Sequence, residues 1–596
     1  MNKKFFDNNV SKFQQEDSRL SGLFNRISTI RISTFVVALI LAIYFADVPN
    51  AKALGLVVLI FLISFVILVK WHNRVKYKRN HVRFLKQINE EEIARLKGDL
   101  SAFDGGEEFN SGDHPYAGDL DIFGRSSLFQ LLNRTTTTIG RTKLAGWLLE
   151  PAANETILKR QAAISELKNE QEFCQNFQAK GLHFQDKKVK FEPLVEWLND
   201  PIVIRSNKWL MMVSYVLPLV SLILLIGISL FDIPFGYLLI VVVINGIILK
   251  SVFKYAMKIT EQTSQGVSTL AGIAQLTKEV EQATFSSPLL VAIKSDFSKH
   301  GVPVSKRVEA LVKILDFLNA RANMLYMGFN VLFLLDIHLI SQAEKWKINN
   351  QHDVKSWFDR ISEFEVLCSL SRYFYANTEY TMPNILEEPY KFSTTAMSHP
   401  LIRSGERVAN DFEAEHKGSV MIVTGSNMSG KSTFLRTVGV NIVLALTGAP
   451  VCAESMSLSR MLVFTSMRTQ DNLEEHISSF YAELKRIKQL LNLLEKDELP
   501  VLFMLDEILK GTNSLDRHKG ALAILKQLHK TNSFGFISTH DLDLGEEAKK
   551  LQYCENYSFN SEIVKDKILF DYKIDKRICH SFNASALMKN IGIEMD

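Results

Sequence analysis

"TGSNMSGKSTFLRT" runs from Thr424 to Thr437, and its reading decides what the last third of the chain must be. Gly425, Gly430, Lys431 and Ser432 fit the pattern G-x-x-x-x-G-K-[ST]. The apolar "VMIV" just before it, Val420 to Val423, reads as a buried strand feeding the turn, and a helix is predicted from Lys431 to Leu446. Glycines at such a turn let successive backbone N–H groups curl around phosphate oxygens, while the helix N-terminus adds the positive end of its dipole. The stretch Gly425, Ser426, Asn427, Met428, Ser429, Gly430, Lys431, Ser432 and Thr433 is therefore the candidate phosphate cradle. Lys431 is expected to reach the β- and γ-phosphates of ATP, and Ser432 to hold Mg2+.

A second stretch supports this reading. In "LPVLFMLDEILKGTNSLDRHKG" (Leu499 to Gly520) a short branched-rich apolar run ends in two adjacent carboxylates, Asp506 and Glu507. Ligands of an open α/β sheet bind at the C-terminal ends of its strands. Asp506 is expected to bind Mg2+ through its water shell, and Glu507 to polarise the water that attacks the γ-phosphate. A third strand, "SFGFISTHDL" (Ser533 to Leu542), ends in His540. A lone histidine after a strand is usually structural, but as the third element of an ATPase core His540 becomes a γ-phosphate sensor.

Asn427-Met428 inside the loop, "DEILKGTNSLD" and "STHD" together resemble the ATPase domain of the MutS family. "FTSMRTQDNLEEHISSFYAELKRI" (Phe464 to Ile487) is similar to the family segment whose Ser-Thr-Phe-x-x-Glu core appears here as Ser478, Ser479, Phe480 and Glu483. The resemblance implies that Ser478 and Ser479 reach across a homodimer to complete the partner's nucleotide site. "SHPLI" (Ser398 to Ile402) and "SEFEVLCSLSRYFYANTEYTMPNI" (Ser362 to Ile385) resemble the approach to that domain, and "GRSSLFQLLNRTTTTIGRTKLAGWLLEP" (Gly124 to Pro151) the start of the family's helical core and lever region. The departures are equally specific. No segment before Gly124 resembles the domain whose Phe-x-Glu wedge probes a mispaired base in the repair members, and Leu509-Lys510 stands where the family commonly has Gly-Arg.

Two pairs of apolar runs stand outside the resemblance. The first is Ile32 to Ala46 with Ala53 to Val69, the second Trp209 to Phe231 with Ile233 to Leu249. The longer members reach the roughly 20 apolar residues that a bilayer requires. Very short connectors make each pair a transmembrane hairpin. A cleaved leader is an alternative for the first run, but Asp7, Glu16 and Asp17 precede it; a buried soluble hairpin is an alternative for the second pair. Arg26 and Arg31, Lys70 to Arg79, Lys208, and Lys250 with Lys254 flank the runs on the side shared by the termini. That bias places both termini and the ATPase in the cytoplasm and the chain in the cell membrane. The run from Met324 to Ile340, interrupted by Asp336 and His338, is read as a buried lever helix.

With 596 residues the chain holds several domains, and its net charge of +4 gives no global basic field for nucleic acid. Cys174, Cys368, Cys452, Cys554 and Cys579 lack Cys-x-x-Cys spacing, which excludes the usual zinc modules. The expected order is a cytoplasmic tail (1–31), a first hairpin (32–70), a charged helix and linker (71–110), helical core (111–207), a second hairpin (208–250), lever and core helices (251–389) and the ATPase domain (390–596), the Gly/Asp-rich linker stretch "DGGEEFNSGDHPYAGDLD" (Asp104 to Asp121) marking the boundary near residue 110. The fold class is thus an α/β P-loop ATPase domain, ABC-like with a mostly parallel sheet, preceded by an all-α core and lever domain with two transmembrane hairpins. Its output stays open between DNA binding on mismatched or branched DNA and an ATP-driven membrane or protein rearrangement. A transporter is the weakest reading, because the runs hold almost no charge and Asn245 is the main polar residue well inside them.

Overall fold

The first two apolar runs of the sequence become parts of helices far longer than a bilayer is thick. The computed structural model describes residues 2–47, 51–184, 192–264, 266–299, 301–426, 428–467, 479–564 and 567–577. The first pair consists of Lys3–Asp47 and Ala51–Leu96, of 45 and 46 residues. At 1.5 Å per residue each is about 68 Å long. The expected N-terminal tail is therefore helix, and the charged segment after Val69 continues the second arm without a break. No proline interrupts either arm, and Lys, Arg, Glu and Gln suit a solvated helix. The two stems zip together through Phe13, Val82, Leu85 and Ile88, and Asp17 accepts from Arg79 (3.3 Å) and Arg83 (2.9 Å).

The second pair, Lys208–Phe231 and Gly236–Ser264, starts at an Asn207 side-chain cap and turns at Asp232, whose φ is +51°. By length and composition, four helices among the described residues could cross a membrane.

The lever reading of Met324 to Ile340 needs correction. Met324–Phe333 is a separate helix, Leu334 takes the left-handed conformation at φ +52°, and Leu335–Ala376 departs at 84°. Only Tyr326 of the short helix is buried. The long helix, 42 residues and about 63 Å, is the spine of the helical core. Around it pack Thr138–Leu149, Asn154–Asn169, Gln171–Leu182, Gly266–Gln282 and Val304–Asn319. Near its C-terminal end Glu92, fully buried, accepts two bonds from Arg134 (2.7 and 2.8 Å) and one from Arg372 (3.0 Å). The first helical pair is thereby pinned to the core.

The Gly/Asp-rich segment after residue 103 is no free linker. Tyr116, Ala117, Leu120, Ile122 and Phe123 are buried, and Asp119 accepts from the Thr465 hydroxyl (2.8 Å) and the Met467 N–H (3.1 Å). Asp119 thus serves the contact with the C-terminal domain, while Asp104, Glu107, Glu108 and Asp113 stay exposed to solvent.

Among the described residues ten strands form that domain's sheets: β1 Asn384–Leu386, β2 Phe392–Met397, β3 Asn410–Ala414, β4 Val420–Gly425, β5 Ser455–Ser459, β6 Leu462–Ser466, β7 Val501–Asp506, β8 Ser533–Thr539, β9 Cys554–Val564 and β10 Lys567–Asp575. The smaller sheet has the order β1-β5-β2-β3 and the larger β10-β9-β4-β8-β7-β6, in which every pair from β9 to β6 is parallel. Strands β4 and β7 are buried at every position, which is why they read as unbroken apolar runs. The architecture is a helical core joined to an α/β domain.

Candidate functional site

The register of the large sheet gathers the chemistry. Thr424 of β4 pairs with Thr539 of β8, and Asp506 of β7 pairs with Ser538 of β8. Three strand ends therefore bring the loop after β4, the carboxylates after β7 and His540 after β8 to one edge.

The loop passes from β4 into the helix Lys431–Thr447. Gly430 sits at φ +107°, and a Cβ there would lie 3.0 Å from the Tyr572 ring. A side chain would thus meet both strain and a neighbour. Lys431, 4 % exposed, donates through Nζ to the carbonyls of Gly425 (2.9 Å) and Ser426 (3.0 Å). The Ser432 hydroxyl donates to Asp506 Oδ2 (2.5 Å), and the Ser538 hydroxyl donates to the other oxygen of the same carboxylate.

Glu507 lies one residue beyond the strand at φ +52°, with its N–H on the Ser538 carbonyl (3.0 Å). Its Oε1 is 2.6 Å from His540 Nε2, and its Oε2 is 3.0 Å from Lys510 Nζ. The His540 hydrogen bond holds the Glu507 carboxyl down to about 2, with Lys510 adding to it and partial burial opposing. His540 Nδ1 is 2.8 Å from the Gly425 carbonyl. A carbonyl and an ionised carboxylate both only accept, so both ring nitrogens donate, and the ring is fixed between loop and carboxylate.

Beside the loop opens a cavity of about 490 Å³. Its lining runs from Ser429, Lys431 and Ser432 past Glu507 to His399, Arg407 and Tyr572. Burial, with Arg436 nearby, pushes the His399 imidazole down to about 4, so it lines the cavity as a neutral ring at physiological pH.

Gly425, Ser426, Met428, Ser429, Gly430, Lys431, Ser432, Thr433, Asp506, Glu507 and His540 are thus brought to one sheet edge. Asn427 and Ser478 lie outside the described residues; Ser479 opens the helix Ser479–Glu495, and its side chain is likewise outside them. From the same helix the Glu483 carboxylate accepts from the backbone of Leu509 and Lys510, and a Cβ on Gly511 would come within 2.7 Å of Phe480 Cβ. That helix therefore rests on the turn that carries Glu507. Sequence reasoning missed Ser538, which holds Asp506 from the next strand. It stands two residues before His540, so aligning the ends of β7 and β8 would have found it.

Comparison with known proteins bears on the same residues. The model of MutS domain V matches residues 421–591, and that of MutS domain III matches residues 112–187. The chain belongs to the MutS family. It is 30% identical over 243 residues to the DNA mismatch repair protein MutS of Chlorobium chlorochromatii, covering 40% of this chain and 27% of that protein. To the endonuclease MutS2 of Lactococcus lactis subsp. cremoris it is 30% identical over 200 residues, 33% of this chain and 25% of the relative. The MutS protein homolog 4 of Mus musculus matches at 29% over 241 residues, 39% and 24% of the two chains. The matched part spans about a quarter of the length of these relatives.

Proposed function

We propose that this MutS-family chain is a membrane-anchored, Mg2+-dependent ATPase that couples hydrolysis to DNA binding. The observation that carries the ATPase half is the continuous chain of hydrogen bonds from Ser432 through Asp506 and Ser538, and from Glu507 through His540 back to Gly425. The cavity beside it accepts a nucleotide whose phosphates meet the loop and whose base lies toward His399 and Tyr572. Lys431 then exchanges the Gly425 and Ser426 carbonyls for phosphate oxygens. The Ser432 hydroxyl and the Asp506 carboxylate form an all-oxygen donor pair that suits Mg2+, which would neutralise charge on the phosphates. Glu507, held ionised, accepts a hydrogen bond from water and orients it toward the γ-phosphate. His540 fixes the rotamer of Glu507 and reports the loop position through Gly425. Ser478 and Ser479, supplied by a second copy, would complete the site in a homodimer.

Membrane anchoring is supported by the four long apolar helices, and their basic flanks support an orientation with the ATPase domain and both termini on the cytoplasmic face of the cell membrane. The DNA half is supported by the relatives, a DNA mismatch repair protein among them. A second reading, an ATP-driven membrane or protein rearrangement, is favoured by one observation. The second helical pair sits at the N-terminal end of Leu335–Ala376, where His338 Nε2 meets the Ser214 carbonyl at 2.6 Å, so motion of the long helix reaches that pair directly.

The test is ATP turnover by the full chain in liposomes, with homoduplex, mismatched and branched DNA at fixed salt. Stimulation by one DNA form that weakens steeply with salt supports DNA coupling. Turnover indifferent to every DNA, yet lost in Glu507→Gln, favours the second reading. Turnover unchanged in both Glu507→Gln and Lys431→Ala overturns the site.

A further inference from the structure

The helix Met324–Phe333 has an inside that is closed and an outside that is bare. On the inside, the buried Asp336 carboxylate accepts from Arg321 Nε (2.9 Å), the Tyr326 hydroxyl (2.7 Å) and Asn330 Nδ2 (2.9 Å). The Asn323 side chain caps the first turn at the Leu325 N–H (2.9 Å). At the other end the Val331 and Leu332 carbonyls accept from Asn245 Nδ2 (2.8 and 3.4 Å), so Asn245, fully buried in the second pair, serves to close this helix. On the outside, Met324 is 86 % exposed, Leu325 73 %, Met327 58 % and Phe329 55 %. Large apolar groups clustered in this way mark an interaction surface.

The neighbouring contacts give this helix a direction and a depth. Along the long helix, His338 meets Ser214, Ser341 meets Met211 and Glu344 meets the backbone of Arg205, a steady antiparallel progression. Along Gly236–Ser264 the order is parallel, from Asn245 at residues 331 and 332 to Tyr255 at Glu344. The start of Leu335–Ala376 therefore runs alongside the second pair. The 84° bend then turns Met324–Phe333 nearly perpendicular to those helices. Asn245 precedes Lys250, the basic residue that ends the apolar run, by about a turn and a half, which sets the short helix roughly 7 Å inside that level. In-plane amphipathic helices lie about 5–10 Å into the boundary between headgroups and acyl chains.

We propose that Met324–Phe333 is an in-plane membrane helix whose Met324, Leu325, Met327 and Phe329 face lipid acyl chains. The occupant is the bilayer because this helix packs against both helices of the second pair, which carry exposed apolar residues of their own, among them Leu219, Ile240 and Ile247. The long helix thus ends in the interface and carries a float at its tip. The proposal rests on the four-span reading above.

The test places bimane on Leu325→Cys and, separately, on Phe329→Cys in liposomes, and reads quenching by lipids brominated near the headgroup end or near the terminal end of the acyl chain. Met327→Cys is the substitute if either variant loses ATP turnover, and the labelled unsubstituted chain sets the background from native cysteines. Ile240→Cys, inside a span, and Leu158→Cys, exposed on the helical core, are the references. Loss of emission at residues 325 and 329 with the shallow bromines, and less with the deep ones, is the expected result. Emission at both that matches Leu158, while Ile240 is quenched, overturns this proposal alone. An unquenched Ile240 overturns the four-span reading, and this proposal with it.

Discussion

The two ends of the Leu335–Ala376 helix are each held by a buried carboxylate, yet in opposite surroundings. At the C-terminal end Glu92 sits among Arg134 and Arg372, and the chain start adds an Asn2 N–H on the Ala376 carbonyl (3.3 Å) and the rings of Phe5 and Phe6 edge-on to Tyr375. At the N-terminal end Asp336 is satisfied by one arginine, a tyrosine and an asparagine, beside a broken helix with an apolar face outward. The first end is a rivet within protein, and the second is a joint. A nucleotide-driven tilt of the long helix would therefore move the second helical pair relative to the first.

The largest expected effect freezes the drive to both ends. Glu507→Gln keeps the hydrogen-bonding shape but removes the carboxylate, so turnover falls about 10²-fold or more while ATP is retained. Lys431→Ala loses nucleotide binding as well. Steady-state turnover and retention of labelled ATP on a filter separate the two. Equal behaviour of the two variants would sink the assignment of Glu507 as the group that orients water.

The next effect should tell the rivet from the joint. Glu92→Gln leaves Arg134 and Arg372 buried without a counter-charge, at a cost of about 3–5 kcal/mol. Asp336→Asn keeps some hydrogen bonds and faces one arginine, so about 1–3 kcal/mol is expected. Thermal midpoints in liposomes measure both, and a larger loss at Asp336 would reverse the comparison.

Acid probes the rivet without mutation. Burial pushes the Glu92 carboxyl up, but Arg134 and Arg372 outweigh it and hold it at about 2, below its ordinary 4.5. A carboxylate depressed on folding stabilises fully above its unfolded value and loses that contribution as pH falls through the folded one. Stability should therefore drop between pH 4.5 and 2, with Glu507 contributing over the same window. In Glu92→Gln that slope should flatten; an unchanged slope would assign the acid loss to other groups. His518 has the opposite sign, because its bond to Asp541 raises it above 6.5 and its contribution fades as pH rises.

How far the sequence spoke follows the same division. The drive end was legible because its chemistry is local: a loop of fixed spacing, and apolar runs that stop at Asp506 and His540. Ser538 escaped because its role depends on a neighbouring strand. The stems of the first pair read as a tail and a charged helix because solvated helix carries no apolar stripe until a partner stem is known. The segment around Asp119 looked like a linker because its composition is that of a loop, and only the contacts with Thr465 and Met467 show it packed. The joint was misread for a physical reason: apolar residues on both sides of Leu334 do not reveal that the helix breaks there and bends by 84°. Leu509 poses a related problem. It stands where the family commonly has glycine, takes φ +59° and is buried, so its packing offsets the strain.

The smallest expected effect refines the joint. Asn245→Leu keeps the branching of the side chain but replaces its amide with bulkier methyls, and so removes the donor to the Val331 and Leu332 carbonyls, which on the four-span reading lie where water is scarce. Hydrogen bonds between helices in a membrane average about 0.6 kcal/mol, so stability should hardly change. The position of Met324–Phe333 should change more, since this bond ties its end to the second pair. Bimane on Phe329→Cys should then report an altered depth in the Asn245→Leu background, with Ile240→Cys unmoved. An unaltered depth would mean that Asp336 and its partners alone hold the short helix, and that the joint is stiffer than the rivet comparison implies.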